Sequence, residues 1–262
     1  MYTKEQLKQQ IKAMGILPTD TVVIHTSMKA IGDVEGGADG VLDAFGEYLS
    51  EGLLVVPTHT WDNVTRENPY YDVRATVPNI GLIPRIAAFR TDGIRSMHPT
   101  HSLWARGAKA AEFVRGEELS DSPTAVGGCW DRMADWHAKI LLIGVTNTKN
   151  TFIHAVDERA NLPDRICPRP FRVTATDCNG NTRSYDMKLL GCSRTDDISL
   201  YYGNFEKPLV EMGIQTFGKF GNAEVRVMDA MACRELIMKI YSRATEDIFP
   251  QHIEIPESWY KD

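Results

Sequence analysis

The sequence predicts an α/β fold, and three observations carry that expectation. Residues 21–25 form a short β-branched run and residues 53–57 a second apolar run, with a helix-period segment, residues 40–49, between them. Two buried strands joined through a helix imply a parallel pair with a crossover connection. Residues 139–145 hold a third apolar run, which follows Lys139 and reads as another buried strand ending at Gly144.

The elements follow in order. Leu7, Ile11 and Met14 recur at helical spacing over residues 3–14, Thr3 and Gln6 match a capping box, and Gly15 ends the helix. Residues 18–20 turn the chain into the first strand. Residues 26–37 are a loop that becomes glycine-rich before the crossover helix. Residues 58–79 are long and irregular, and a loop of that length in a compact domain is usually functional or a lid. A helix is expected over 80–90, with Pro84 near its start, a strand from Ser102 onward, and helices over 109–114 and 128–136. After the strand at 139–144 a helix opens near Thr151, which can cap it. Residues 171–177 and 182–187 flank Cys178-Asn179-Gly180-Asn181, a hairpin signal. A last helix covers 229–244, with Leu236, Ile237, Ile240 and Tyr241 on one face. Without repeats or a long linker, residues 1–262 read as one domain, with 163–200 as a hairpin-containing subregion.

Composition narrows the function. The 262 residues are 43% apolar and 24% charged, ordinary for a soluble globular protein, and the formal net charge is −6. No basic run interleaved with aromatics suggests nucleic-acid binding. No stretch approaches the ~18 consecutive apolar residues of a membrane span. Cys129, Cys167, Cys178, Cys192 and Cys233 are scattered without CxxC spacing, and the polar start lacks a secretory core, so a reducing cytoplasm is expected.

The most informative segment is residues 150–161. His154 falls in the first turns of its helix, and Asp157 and Glu158, three and four residues on, can share its face. A histidine beside carboxylates, past the C-terminal end of a buried strand, is a common place for a general base. The bland alternative is a helix histidine satisfied by its neighbours. The loop after the first strand, with His25, Thr26, Ser27 and Lys29 before Gly32, Gly36 and Gly37, offers backbone N–H groups to a phosphate or carbonyl, or is an ordinary crossover loop. It is neither a Walker motif nor GxGxxG. His59, Trp61 and Asp62 follow the second strand at a ligand-facing position. His98 and His101 invite a metal reading, with His25 and His59 as further ligands, but lack the His-Glu-x-x-His spacing of common zinc sites. No Gly-x-Ser-x-Gly elbow is present, and no cysteine has a nucleophile setting.

Read in order, five pieces resemble the aminoglycoside 3-N-acetyltransferase family: residues 25–32 (HTSMKAIG), 55–61 (VVPTHTW), 95–102 (RSMHPTHS), 121–124 (DSPT), and 142–145 continuing to 150–157 (LIGV, NTFIHAVD). The resemblance covers about residues 3–244. It implies a three-layer α/β/α fold with a mixed, largely parallel central sheet and a small antiparallel C-terminal hairpin region. It also implies acetyl-CoA as donor, an aminoglycoside amine as acceptor, an antibiotic-resistance class, no metal, and compatibility with a homodimer. By the same resemblance His154 is the general base, and the loop with His25, Thr26, Ser27, Met28 and Lys29 contacts coenzyme A. Ser102, Ser122 and Thr151 join the donor side, and His59, Trp61, Asp62 and His98 the acceptor side. The family usually has glutamate three residues after the histidine; here it is Asp157, with Glu158 beside it. Asp186 is the nearest counterpart, by spacing, of a second family carboxylate.

Acetyl transfer to an amine needs a base for the amine proton, and histidine is suited to that near neutral pH. A carboxylate on the other ring nitrogen fixes the tautomer; Asp157, Glu158 or a distant acid can play that part. The thioester oxygen needs donors in place, from N–H groups around residues 27–29 or the hydroxyl of Ser102 or Thr151. Asp62, Glu67 and Asp72 in the long loop are candidates to bind a polycation. Two other classes are carried beside this one: a metal-dependent hydrolase built on His25, His59, His98 and His101, and a non-catalytic coenzyme A-binding protein.

Overall fold

A computed structural model describes residues 1–191, 197–244 and 252–261; Cys192 and part of the 163–200 subregion lie outside the described residues. In chain order the elements are α1 (Lys4–Ala13), β1 (Thr21–Thr26), α2 (Met28–Ile31), α3 (Gly37–Tyr48), β2 (Leu53–Pro57), β3 (Tyr70–Asp72), α4 (Leu82–Ala87), β4 (Ile94–Arg95), β5 (Leu103–Arg106) and α5 (Ala110–Val114). There follow α6 (Cys129–Asp135), β6 (Lys139–Ile143), α7 (Thr151–Arg159), β7 (Phe171–Thr176), β8 (Thr182–Met187), α8 (Glu206–Glu211), β9 (Gln215–Phe220), β10 (Ala223–Asp229) and α9 (Ala230–Arg243). Ile198–Phe205 is a 3-10 segment leading into α8.

Seven strands form the main sheet in the order β4-β5-β2-β1-β6-β10-β9. β1 lies parallel to both β2 and β6, as the crossover pattern predicts. The other four pairings are antiparallel, which corrects the expectation of a largely parallel sheet. The sheet is mixed, with a parallel centre and antiparallel flanks. The β9–β10 pair has no counterpart in the sequence expectation, although its loop, Gly221-Asn222, is a hairpin dipeptide. Gly221 has φ 60°, and a Cβ there would meet the Ile31 carbonyl oxygen at 2.4 Å.

The period-2 alternation of the central strands divides the core between the two faces. Val22 and Ile24 pack with Leu7 and Ile11 of α1, Phe45 of α3 and Ile83 of α4. Val23, with Val55 and Leu142, packs with Trp130 of α6, Phe152 and Val156 of α7, and Ile237 and Ile240 of α9. Helices therefore cover both faces, each fully buried large side chain contributing about 1.5–3 kcal/mol. The capping box of α1 is present: Thr3 N–H donates to Gln6 Oε1 at 2.9 Å, and Gln6 N–H to Thr3 Oγ1 at 3.3 Å.

The hairpin at β7 and β8 forms as predicted, but it is part of a three-stranded sheet, β3-β7-β8. The third strand comes from the long 58–79 loop, which pairs parallel to β7. Val64 and Tyr71 from that loop share a small apolar cluster with Val173 and Met187. Buried Arg95 adds a polar fastening, donating to the carbonyls of Thr58 (3.2 Å), Val73 (3.2 Å) and Thr76 (2.7 Å). The loop is irregular in sequence because its order comes from these distant partners. Among the described residues no helix is long and apolar enough to cross a membrane.

Candidate active site

The parallel strands β1 and β2 and the loop after β6 end at one cleft of about 790 Å³. Open α/β sheets bind ligands at such strand ends. Gly144 directs the chain from β6 toward α7: its φ is 68°, and a Cβ would meet the Ala30 Cβ at 2.3 Å. A 3-10 turn, Asn147–Lys149, precedes α7. Asn150 is the N-cap residue, so Thr151 opens the helix and does not cap it. That difference of one residue leaves His154 in the first turn, lining the cleft.

His154 does not touch either neighbouring carboxylate directly. Its Nδ1 lies 2.6 Å from the hydroxyl of Tyr202, and that hydroxyl donates to Asp157 Oδ2, also at 2.6 Å. Tyr241 of α9 donates to the other oxygen, Asp157 Oδ1. The Arg165 Nε lies 3.6 Å from Asp157 Oδ2. Glu158, expected as a partner of His154, instead accepts from Ser122 Oγ and from Thr124 Oγ1 at 2.8 Å. One residue of helical rotation turns it away from the cleft and onto the 121–124 loop.

Burial pushes His154 down to about 4; Asp197 opposes this and Arg165 adds to it. The imidazole is therefore neutral at pH 7 and can accept a proton. Burial first, and then the charge of Asp157, raises the phenols of Tyr202 and Tyr241 well above their usual range. Both remain hydrogen-bond donors.

A second group of imidazoles, His25, His59 and His101, also lines the cleft. The rings of His59 and His101 are tilted by 42° with centroids 4.7 Å apart, and those of His25 and His59 lie 5.9 and 5.4 Å from the Trp130 ring. Burial drives His25 down to about 3 and His59 and His101 well below 6.5. Among the described residues the buried Nε2 atoms of His25 and His59 have no hydrogen-bond partner. Among the described residues no three His, Cys, Asp or Glu side chains form a set that could hold a metal ion.

The structure brings His25, Thr26, His59, Trp61, Thr151 and His154 to the cleft. Other candidates have different roles. Ser27 Oγ caps α2 by accepting from the Ala30 N–H at 3.3 Å, and Met28 and Lys29 continue that short helix away from the lining. His98 is fully buried: Nε2 bonds to the Ser122 carbonyl at 2.9 Å, and Nδ1 accepts the His101 N–H at 2.9 Å. Burial holds His98 at about 4. Ser102 Oγ donates to the Thr58 carbonyl at 2.8 Å, and Asp62 accepts from Asn79 at 3.1 Å. Asp72 pairs with Arg74 at 2.7 Å. Asp186 stands on the exposed face of β8, 3.4 Å from Arg172, and is not a cleft residue.

Sequence reasoning missed Tyr202, Tyr241 and Arg165 around Asp157, and Asp164 and Asp197 in the lining. No helical spacing rule links them to residues 150–161, because Asp164 and Arg165 follow the end of α7 in irregular chain and Asp197, Tyr202 and Tyr241 come from farther on.

The family model described as aminoglycoside 3-N-acetyltransferase matches residues 23–242. Aminoglycoside N(3)-acetyltransferase III of Serratia marcescens is 27% identical over 208 residues, spanning 73% of this chain and 71% of the relative. Aminoglycoside N(3)-acetyltransferase VII of Streptomyces paromomycinus is 29% identical over 181 residues, 62% of each chain. Among solved structures, aminoglycoside acetyltransferase AAC(3)-IVa in complex with a gentamicin superposes with a TM-score of 0.80 at 21% identity, covering 98% of this chain and 93% of that one. AAC-IIIb in a binary complex with CoASH gives 0.77 at 20% identity, covering 89% and 94%. At those identities the structural likeness establishes the fold, while the family match across most of the sequence establishes kinship: this chain belongs to the aminoglycoside 3-N-acetyltransferase family.

Proposed function

We propose that this chain transfers the acetyl group of acetyl-CoA to the 3-amino group of an aminoglycoside or a related amine, with His154 as general base. The observation that carries the reading is a neutral, half-buried imidazole at the end of the parallel strands, held through Nδ1 so that its other ring nitrogen remains for the substrate. The complex of AAC-IIIb with CoASH supports the donor, and the names of the curated relatives support the acceptor.

The cleft residues fit such a donor. Ile24, Pro57, Val145 and Leu190 offer apolar surface to a pantetheine-like arm, and Lys149 offers a cation to phosphate. The unpartnered Nε2 atoms of His25 and His59 are buried polar groups suited to a bound acyl-amide chain. Bound acetyl-CoA supplies an activated acyl carbon. His154 accepts the proton of the attacking amine as the carbon–nitrogen bond forms and the carbon–sulfur bond breaks, and returns a proton to the departing sulfur. Asp164 and Asp197 are also in the lining, and their carboxylates favour a polycation.

The test is thiol release from acetyl-CoA across an aminoglycoside panel. His154→Ala is expected to lower turnover by about 10²–10⁴-fold. Equal turnover in the two proteins removes His154 from the base role, and inactivity of the wild type toward every amine defeats the reaction itself.

A further inference from the structure

We propose that Tyr202 is a positioning residue that joins His154 to Asp157 and fixes the imidazole as its Nδ1–H tautomer. The available protons fix the direction of each bond. A neutral phenol has one proton and a carboxylate oxygen has none to give. Tyr202 Oη lies 2.6 Å from both Asp157 Oδ2 and His154 Nδ1. If the phenol proton pointed at Nδ1, a phenol lone pair would face the carboxylate oxygen at 2.6 Å, which is repulsive. With the proton on the Asp157 side, a phenol lone pair faces Nδ1 at 2.6 Å, and that contact is attractive only if Nδ1 carries a hydrogen. Nε2 is then the unprotonated nitrogen.

The surroundings hold this arrangement in place. Tyr202 is fully buried on the 198–205 segment, and its ring meets His154 edge-on with centroids 5.0 Å apart. Tyr241 donates to Asp157 from the other side, so two phenols orient one carboxylate. A direct histidine–carboxylate contact would do the same work, but Asp157 lies one intervening hydroxyl away. No proton needs to travel along the chain: the phenol keeps its own, and the polarised oxygen stabilises the imidazolium formed when Nε2 is protonated. Among the described residues, the other titratable groups that interact with His154 are Asp197, Arg165, His59 and His101. Removing the Tyr202 hydroxyl leaves all four in place.

The inference rests on the acetyl-transfer reading for its kinetic arm, while its spectroscopic arm stands alone. In protein labelled with 15N-histidine, the His154 signal, assigned by its loss in His154→Ala, is expected to show protonated Nδ1 and unprotonated Nε2 near pH 7. The opposite tautomer in the wild type overturns the proposal without any variant. Tyr202→Phe keeps the ring and removes the link. It is expected to mix the tautomers, lower kcat at least about tenfold and change KM for acetyl-CoA by less than about twofold. The acid limb of kcat should move to lower pH, because the imidazolium loses an acceptor. A folded Tyr202→Phe protein with wild-type kcat, pH profile and tautomer defeats the proposal. If the wild type turns over no aminoglycoside, the reaction reading fails, and the tautomer measurements still decide this one.

Discussion

Acid sensitivity offers the sharpest physical test of the site. His25 and His98 are almost wholly inaccessible, and burial holds them at about 3 and about 4 in the folded chain. In the unfolded chain a histidine titrates near ~6.5. The folded values are depressed, so the unfolded state binds protons first as pH falls, and stability drops from about pH 6.5 downward. Between pH 7.5 and 5.0 the linkage relation gives a loss of about 2 kcal/mol for each, nearly independent of the folded value once it lies well below 5. Together they remove about 4 kcal/mol from a net stability that is typically about 5–15 kcal/mol. His59, His101 and His154 act in the same direction. Depressed carboxylates such as Asp92 and Asp229 add no loss here, because theirs begins only near their usual ~3.8. Glu117, raised by burial, offsets part of the fall. The assay is urea unfolding followed by tryptophan fluorescence at both pH values. His98→Gln should lose stability at pH 7.5 but show a pH dependence smaller by about 2 kcal/mol. A wild-type loss below about 2 kcal/mol would mean that the imidazoles are hydrated or already charged in the fold, and the reasoning would fail.

Two further substitutions probe the helix that carries His154. Asp131→Ala removes a buried carboxylate that receives Arg159 at 2.7 and 2.6 Å and the Gly127 N–H at 2.8 Å. Because Arg159 can still reach water, the cost should be about 3 kcal/mol, a fall in Tm of about 6–12 °C; a shift under about 2 °C would show that the pair adds nothing. Glu158→Gln weakens the bonds from Ser122 and Thr124 and should cost about 1–2 kcal/mol of stability with kcat within about twofold. A loss of kcat of a hundredfold or more would return Glu158 to the catalytic machinery.

Local signals are legible where local physics decides the outcome. Thr3 and Gln6 do form a capping box, Asn179-Gly180 does turn a hairpin, and the run at 53–57 is buried along its whole length. The antiparallel flanks of the sheet are not legible. Nothing in Leu103–Arg106 states its direction, and the alternation at Gln215–Phe220 is blurred by exposed residues on an edge strand. The 58–79 loop reads as irregular because Tyr70–Asp72 becomes a strand only when β7 lies beside it. His154 is legible from its position after a buried strand. Ser27, Ser102 and Ser122 are candidates by residue type, yet their hydroxyls serve a helix cap, a strand-end carbonyl and Glu158.

The Asp157–Glu158 pair shows what helical spacing can and cannot decide. Positions three and four residues beyond His154 fall near its face, but facing is not contact. Glu158, with the longer side chain, finds two hydroxyls on the neighbouring loop and leaves the histidine. Asp157 is 1% exposed, and its charge is met by Arg165 and by two phenols from later in the chain. A buried carboxylate without such donors would be costly, so Tyr202 and Tyr241 are a condition for Asp157 to exist where it does. The same bonds then give His154 its fixed partner. The electrostatics around His154, in the middle of the sequence, are thus shaped by Tyr202 and Tyr241 from later in the chain, and substitutions at those two positions reach the proposed chemistry although neither lines the cleft.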